Sequence, residues 1–262
     1  MKAAMNSKIW ILGPCSMESR ELFFKCLEHI SSFMSGDDLW YMKSSFDKAN
    51  RTKINSKRGL GIDAALDIWR EAKELFPDIK FTTDVHECSQ VAKLRDVIDV
   101  IQIPAFLCRQ TDLIVESAKN FDIVNVKKGQ WMGPDSARHI SDKIKTANPD
   151  CQSWICDRGS NFGYDELFVN FNITEKLKKS FDAVILDCTH STQRTKSVHG
   201  SQGDWVLASR YFLTASVFGY NGVFAETHPS PSKALSDRDN MIPLKEMKSL
   251  VEKSKVISEY AK

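Results

Sequence analysis

Charged, nucleophilic and metal-binding side chains directly follow apolar runs at many points along this chain. Lysine and arginine recur in these places, and Lys48, Arg51 and Arg109 lie in nearby segments. Arginine offers a planar fork to phosphate or carboxylate oxygens and lysine offers a point charge, so the set predicts a site for anionic substrates. The side chains that follow the apolar runs are those of Cys15, Lys43, Asp84, His86, Gln102, Lys127, Lys128, Arg158, Asp187, His190, Glu226 and His228.

One thiol, one imidazole and two carboxyl groups could together bind a metal ion. Cys15, His190, Glu226 and Asp237 supply them from separate parts of the chain. A thiolate beside an imidazole and carboxylates suits Zn²⁺ or Fe²⁺. A single cysteine after a strand is also a common core residue, and a single histidine often forms structural hydrogen bonds, so spacing alone leaves the metal site open. Lys127 is also a candidate for a Schiff base with a carbonyl substrate.

The apolar runs have the length of β-strands, and amphipathic segments with helical spacing lie between them. Eight strand–helix units in 262 residues predict one α/β domain, residues 1–262, folded as a (β/α)₈ TIM barrel. Such a barrel would bring the polar residues together, because its active-site groups gather at the carboxyl ends of the strands. The predicted strands are residues 9–12, 39–42, 79–84, 100–103, 123–126, 153–156, 183–187 and 222–226, and four predicted helices are 18–34, 62–76, 135–147 and 243–261.

Other classes of fold and partner fit the sequence less well. An open α/β sheet is the alternative fold, but the first turn, GPCSMES, lacks the GxGxxG spacing of dinucleotide-binding folds. The 36 basic and 34 acidic residues give a formal charge of +2 without a block of like charges, so nucleic acid is not an expected partner. An apolar run of about four residues before Gly13 is too short for a signal peptide or a membrane span, which predicts a cytoplasmic protein without a membrane partner. Seven cysteines without a CxxC pair indicate reduced thiols.

The segment KSSFDKANRT, residues 43–52, resembles the 3-deoxy-D-manno-octulosonate 8-phosphate synthases, and the likeness extends over nearly the whole chain. The related 3-deoxy-D-arabino-heptulosonate 7-phosphate synthases carry a KPRTS-type motif in place of KANRT. The resemblance therefore implies a transferase that condenses phosphoenolpyruvate with arabinose 5-phosphate and water, for Kdo in lipopolysaccharide biosynthesis. The other supporting segments are GPCSMES from Gly13, TTDVHE from Thr82, QIPAFLCRQTDL from Gln102, NVKKGQ from Asn125, DRGSNFGYDEL from Asp157, DCTHSTQ from Asp187 and ETHPSPSKALSD from Glu226.

The resemblance also implies roles for individual residues. Phosphoenolpyruvate would be held by Lys43, Ser45, Lys127 and Arg158, with Lys48 and Gln102 beside it. Arabinose 5-phosphate would be held by Asn50, Arg51 and Thr52. Arg109 would reach the sugar phosphate of a neighbouring subunit in a homotetramer. The residues implied as catalytic are Lys43, Lys48, Asn50, Asp84, Lys127 and His190.

This family divides into metal-dependent members with cysteine in the first turn and metal-independent members with asparagine there. Cys15 places the chain with the former, which implies Cys15, His190, Glu226 and Asp237 as ligands of one Zn²⁺, Fe²⁺ or Mn²⁺ ion, with no organic cofactor. The loop after His190, within residues 191–210, departs from the glycine-rich stretch usual in the family.

Three other functions remain open on sequence alone. A heptulosonate synthase would use erythrose 4-phosphate, and a Schiff-base aldolase would use Lys127. A non-catalytic barrel that binds sugar phosphates is conceivable because of the unusual loop after His190.

Overall fold

The computed structural model describes residues 8–51, 53–163, 166–196 and 200–261. Eight parallel strands pair in chain order, and the first also pairs with the last, so the sheet closes into a barrel. The predicted (β/α)₈ fold and all eight predicted strands are confirmed. The barrel strands are β1 (Ile9–Gly13), β2 (Leu39–Lys43), β3 (Lys80–Asp84), β4 (Val100–Ile103), β5 (Ile123–Lys127), β6 (Gln152–Asp157), β7 (Ala183–Asp187) and β10 (Gly222–His228).

Among the described residues, three short strands lie outside this ring, in two of its loops. β8 (Arg194–Lys196) and β9 (Gly200–Gln202) form an antiparallel hairpin between β7 and the following helix. β11 (Ile242–Pro243) pairs with the end of β10, and the Thr227 hydroxyl donates to the Ile242 carbonyl oxygen at 2.7 Å. This pairing anchors the loop that carries Asp237.

In the part of the chain that the structure describes, eight α-helices alternate with the barrel strands. Several begin at recognisable caps: the Ser19 hydroxyl accepts from the Leu22 backbone, and Asp204 accepts from Val206 and Leu207. The helices are α1 (Arg20–Ser31), α2 (Ile62–Leu75), α3 (Cys88–Leu94), α4 (Thr111–Asn120), α5 (Pro134–Ala147), α6 (Thr174–Lys178), α7 (Trp205–Thr214) and α8 (Met247–Tyr260).

The last helix begins later than its amphipathic pattern predicts. The pattern predicts a start at residue 243, but Pro243 pairs in β11 and a 3-10 turn, Leu244–Glu246, precedes α8. The pairing with β10 holds Pro243 in an extended conformation, so the helix can start only after it. None of the helices among the described residues is long and apolar enough to cross a membrane.

Alternate residues of each strand fill two separate apolar layers. Ile9 and Ile11 point into the barrel, whereas Trp10 and Leu12 pack between the strands and the helices. Inside the barrel, the rings of Tyr41 and Trp154 meet edge to face at 5.6 Å. The interior is therefore packed below the carboxyl ends of the strands, and the polar residues lie above this floor.

Candidate active site

The mouth of the barrel is the end at which the carboxyl ends of its strands lie. There the first two strands approach so closely that only glycine fits between them. A Cβ on Gly13 would lie 2.1 Å from the Lys43 carbonyl oxygen. Pairing then continues past both strands, where Ser45 N–H donates to the Cys15 carbonyl oxygen at 3.3 Å and Met17 N–H donates to Ser45 at 2.7 Å. Cys15 is thereby held beside Lys43 and Ser45.

A buried network of charges centres on Asp84 at the end of β3. The Ser45 hydroxyl donates to Asp84 at 2.7 Å, and Lys43 Nζ lies 3.2 Å from the same carboxylate. Lys43 Nζ and Lys48 Nζ also donate to Ser45 Oγ, at 2.7 and 3.1 Å. Burial opposes ionisation of Asp84, but Lys43 and Lys48 outweigh it and hold the pKa of this carboxyl well below its usual range. Burial lowers the pKa of Lys43.

Gln102 and Asn125 extend this network around the mouth. The Gln102 amide donates to Asp84, and Asn125 Nδ2 donates to Gln102 Oε1 at 3.2 Å. Gln102 is the middle link of this chain, and both ends of its amide are hydrogen-bonded, so its orientation is set before any ligand arrives. The predicted phosphoenolpyruvate residues Lys43, Ser45, Lys48 and Gln102 thus lie in one connected group.

A second buried group joins the ends of β5 and β7. Lys127 Nζ donates to Asp187 and lies 3.1 Å from the centroid of the Phe224 ring. The carboxylate of Asp187 also faces His190 Nδ1 at 3.0 Å and accepts from the His190 backbone N–H at 2.9 Å. Burial opposes ionisation of Asp187, but His190 and Lys127 hold its pKa below the usual range.

Arg158, just beyond β6, is 9% exposed and has few partners. Its Nη2 donates to Gln193 Oε1 at 2.6 Å, and its Nε has no hydrogen-bond partner among the described residues. No described carboxylate lies within 4.0 Å of its guanidinium. Burial lowers the pKa of Arg158. A buried cation without an ion-pair partner is a suitable binding group for an anionic ligand.

The sequence pattern places Lys128 in the predicted anion site, and this prediction is wrong, because Lys128 does not face the mouth. It is fully buried, and its Nζ lies 3.3 Å from Asp157 and 3.2 Å from the Gly159 carbonyl oxygen. Asp157 also accepts from the Tyr220 hydroxyl at 3.2 Å. Lys128 directly follows Lys127, and successive residues of an extended chain point to opposite sides, so only Lys127 reaches the mouth.

Three predicted metal ligands meet at the mouth. One ligand atom each of Cys15, Glu226 and Asp237 lies within 4.8 Å of the other two. Glu226 Oε2 is buried without a hydrogen-bond partner among the described residues, as expected for a carboxylate oxygen with another ligand. Burial and the charge of Glu226 raise the pKa of the Cys15 thiol, so without a metal it keeps its proton. The donor set and the orphaned oxygen fit a divalent metal ion.

His190 is not part of that three-residue cluster but lies against it. His190 Nε2 is 3.8 Å from Glu226 Oε1, while its other ring nitrogen faces Asp187. A carboxylate on one ring nitrogen commonly orients the other nitrogen of a metal-binding histidine. The structure therefore groups three of the four predicted ligands and places the fourth, His190, next to them, 3.8 Å from Glu226.

Asp237 is the only described residue other than glycine with a positive φ, at 50°. Its carboxylate accepts from Ser236 Oγ at 2.6 Å, from Gln193 Nε2 at 2.7 Å and from the Cys15 thiol at 3.3 Å. Burial opposes its charge, but His190 and other neighbours hold its pKa below the usual range. Such backbone conformations occur at sites where surrounding contacts enforce them.

Asn50 and Arg51, two of the predicted sugar-phosphate residues, lie on the loop after β2 and are more exposed than the cations at the strand ends. Arg51 donates to Ser236 Oγ at 2.6 Å and to the Leu235 carbonyl oxygen at 2.9 Å, which connects this loop to the one that carries Asp237. Asn50 is exposed at the surface of the loop. Thr52 lies outside the described residues.

Arg109 stands apart from the mouth residues. It is exposed, and its carbonyl oxygen accepts from Lys143 at 3.0 Å. It lines a surface groove of about 730 Å³ between α4 and α5, together with Trp131. The Trp131 ring stacks on Phe106 at 6.4 Å, and both rings are more than half exposed.

Gln193 and Ser236 are site residues that the sequence analysis missed. Each hydrogen-bonds to Asp237 and to one of the arginines, Arg158 or Arg51. Gln193 lies three residues after His190, and Ser236 directly precedes Asp237. A glutamine or serine near a candidate ligand is too common in sequences to indicate a role in the site. Of the remaining histidines near the mouth, His228 Nδ1 accepts from the Ser230 backbone at 2.9 Å, which is a structural bond.

Known proteins resemble this chain over nearly its whole length. The sequence profile of the DAHP synthetase I family matches residues 3–262. A protein of Wolinella succinogenes named 2-dehydro-3-deoxyphosphooctonate aldolase is 42% identical, over 96% of this chain and 99% of the relative. Proteins of the same name from Campylobacter jejuni and Helicobacter pylori are 40% and 39% identical, over 94% and 95% of this chain and 95% of each relative. This chain therefore belongs to the DAHP synthetase I family.

Proposed function

We propose that this protein is a 3-deoxy-8-phosphooctulonate synthase, which condenses phosphoenolpyruvate with D-arabinose 5-phosphate and water and releases inorganic phosphate. The observation that carries the proposal is a mouth in which the buried cations Lys43, Lys127 and Arg158 surround the Cys15, Glu226 and Asp237 cluster. The shared name of the three relatives, 2-dehydro-3-deoxyphosphooctonate aldolase, denotes the same activity.

The cations would bind and orient phosphoenolpyruvate. Arg158 has a buried Nε without a partner among the described residues and can bind a phosphate or carboxylate through its planar fork. Lys43 and Lys127 add point charges on the neighbouring sides, and Asp84 and Asp187 hold their ammonium groups in position. Fixed cations in a site with little water stabilise negative charge on the phosphate as it leaves.

The reaction forms one carbon–carbon bond and one carbon–oxygen bond, the latter with water, and breaks the carbon–oxygen bond to the phosphate. The methylene carbon of phosphoenolpyruvate bonds to the aldehyde carbon of the sugar, and the aldehyde oxygen takes up a proton to become a hydroxyl group. Water adds its oxygen to the adjacent carbon, and the bond from that carbon to the phosphate oxygen then breaks. The products are the eight-carbon keto sugar phosphate and inorganic phosphate, so no Schiff base is needed.

Cys15, His190, Glu226 and Asp237 would hold one divalent ion, Zn²⁺, Fe²⁺ or Mn²⁺. When bound, the ion would supply Lewis-acid chemistry to the aldehyde or the attacking water. Asp187 would orient His190 for this role through the ring nitrogen that it faces at 3.0 Å.

The acceptor sugar would be held from the loop after β2. Asn50, Arg51 and Thr52 belong to the KANRT segment and would bind the sugar and its phosphate. Arg109 would reach the sugar phosphate in the site of a neighbouring subunit of a homotetramer. Its exposed position beside the open stack of Phe106 and Trp131 supports a place at a subunit contact.

Neither alternative reaction is favoured by a contact in the site. Lys127 is engaged with Asp187 as a hydrogen-bond donor, so imine formation would first have to break this ion pair. The heptulosonate synthase reaction differs only in the acceptor, and a direct assay separates the two acceptors.

The decisive measurement is phosphate release from phosphoenolpyruvate with arabinose 5-phosphate or with erythrose 4-phosphate. The assay uses protein as purified, after chelation, and after addition of Zn²⁺, Mn²⁺ or Fe²⁺. Turnover with arabinose 5-phosphate that chelation removes and metal restores is the expected result. Turnover after verified metal removal would contradict the metal assignment, and a preference for erythrose 4-phosphate would contradict the acceptor.

A further inference from the structure

We propose that Gln193 is a positioning residue that holds Arg158 and Asp237 in place while it keeps their opposite charges apart. The inference rests on the proposed function, which assigns Arg158 to phosphoenolpyruvate and Asp237 to the metal ion. It adds a residue that links these two parts of the site.

Gln193 lies between the two groups and uses both ends of its amide. Its Oε1 accepts from Arg158 Nη2 at 2.6 Å, and its Nε2 donates to Asp237 Oδ1 at 2.7 Å. An amide has an acceptor on one side and a donor on the other, so a cation and an anion can each meet a matching partner. The reversed orientation would place a donor against the guanidinium and an acceptor against the carboxylate.

The backbone around Gln193 fixes where this amide stands. The residue follows a 3-10 turn, His190–Thr192, and its N–H donates to the His190 carbonyl oxygen at 3.2 Å. The first residue of that turn is held by Asp187, which accepts from the His190 backbone N–H at 2.9 Å. Gln193 is therefore placed by the same carboxylate that faces Lys127 and the His190 ring.

Each partner would be drawn to the other if the amide were absent. Arg158 has no described carboxylate within 4.0 Å, and the Asp237 carboxylate lies at the other end of the Gln193 amide, 2.7 Å from its Nε2. Attraction between unit charges is strong where water is excluded, and an arginine–carboxylate pair readily becomes bidentate. Such a pair would remove the fork from the substrate anion and the carboxylate oxygen from the metal.

Three substitutions separate this role from a general contribution to folding. Gln193→Ala removes both hydrogen bonds and the spacer. Gln193→Glu offers a carboxylate to Arg158 and repels Asp237. Gln193→Asn keeps the amide but is one methylene shorter, so it cannot reach both partners at once. The matched control is Gln152→Ala, since Gln152 starts β6 at the opposite end of the barrel and accepts from Trp154 Nε1 at 3.1 Å.

The experiment uses the full-length protein and four measurements. Zn²⁺ binding to metal-stripped protein and phosphoenolpyruvate binding without acceptor are measured by calorimetry, and Tm and the KM of both substrates are measured separately. We expect Gln193→Ala to weaken both Zn²⁺ and phosphoenolpyruvate binding about 10-fold to 100-fold, as for other residues that orient a ligand. We expect a larger loss of phosphoenolpyruvate binding in Gln193→Glu, and a KM for arabinose 5-phosphate near the wild-type value in both.

Two results would overturn the proposal. One is a Gln193→Ala variant with wild-type affinity for Zn²⁺ and phosphoenolpyruvate. The other is a variant whose Tm falls while the KM values of both substrates rise equally, as a purely structural role predicts. Wild-type protein without turnover would instead contradict the proposed function, and the two binding measurements, which need no turnover, would still test the role of Gln193.

Discussion

Lys127 on β5 and Asp187 on β7 form an ion pair at 2.5 Å, although a whole strand, β6, lies between them in the barrel wall. Asp187 is fully buried, and it also faces His190. One carboxylate therefore orients a cation proposed for substrate binding and an imidazole proposed for metal binding.

Asp187→Asn should lower kcat/KM about 10-fold to 100-fold, because an amide cannot balance Lys127 or fix the His190 ring in the same way. Steady-state kinetics with phosphoenolpyruvate and arabinose 5-phosphate measure this loss. The control is Asp67→Asn, whose partner Arg70 is exposed on α2 and whose ion pair contributes little. Wild-type kinetics in Asp187→Asn would show that the shared carboxylate has no part in the reaction.

Cys15→Ala should remove most of the bound metal and the activity, since the thiolate is one of the proposed ligands. Metal content after dialysis, measured by mass spectrometry, reports this directly. Cys88→Ala is the matched control because Cys88 is exposed at the start of α3. Full metal content in Cys15→Ala would exclude Cys15 as a ligand.

Arg158→Lys should raise the KM for phosphoenolpyruvate about tenfold to a hundredfold. Lysine keeps the charge but loses the planar fork, and a hydrogen bond to a charged group contributes about 1.5–3 kcal/mol. The KM for arabinose 5-phosphate should change little. An equal rise in both KM values would indicate a distorted mouth rather than a lost phosphoenolpyruvate contact.

Lys8 should make the free energy of unfolding depend on pH in the alkaline range. It donates to the hydroxyls of Ser216 and Ser254, and burial lowers its pKa to about 8, against about 10.4 in an unfolded chain. Between these values the unfolded state binds more protons, so the free energy of unfolding should rise with pH by roughly 2–3 kcal/mol relative to Lys8→Met. Urea unfolding of both proteins from pH 7 to pH 10.5 measures the difference, and a constant difference would contradict the lowered pKa.

Trp131→Asp should weaken the proposed homotetramer, because it places a charge in the exposed aromatic stack with Phe106. Analytical ultracentrifugation measures the change in assembly. Leu75→Asp is the control, since Leu75 is also largely exposed but lies at the end of α2. Assembly that is unaffected by Trp131→Asp would place the subunit contact elsewhere.

The sequence by itself determined the barrel and the end of it at which most of the candidate site residues gather. Strand length, polar turns and their repetition are local properties, so all eight strands could be predicted, and with them the end of the barrel that carries Lys43, Asp84, Lys127 and Asp187. The apolar alternation that separates Ile9 from Trp10 is local in the same way. These features need no knowledge of what packs against them.

Only the tertiary structure decided which of the gathered groups contact each other. Lys127 and Lys128 are equivalent in sequence, yet one faces the mouth and the other forms a buried pair with Asp157. Gln193 meets partners that lie 35 and 44 residues away, and no local pattern encodes such contacts. The physical reason is that strand pairing and loop anchoring set side-chain directions over long distances in sequence, whereas composition and periodicity describe only near neighbours.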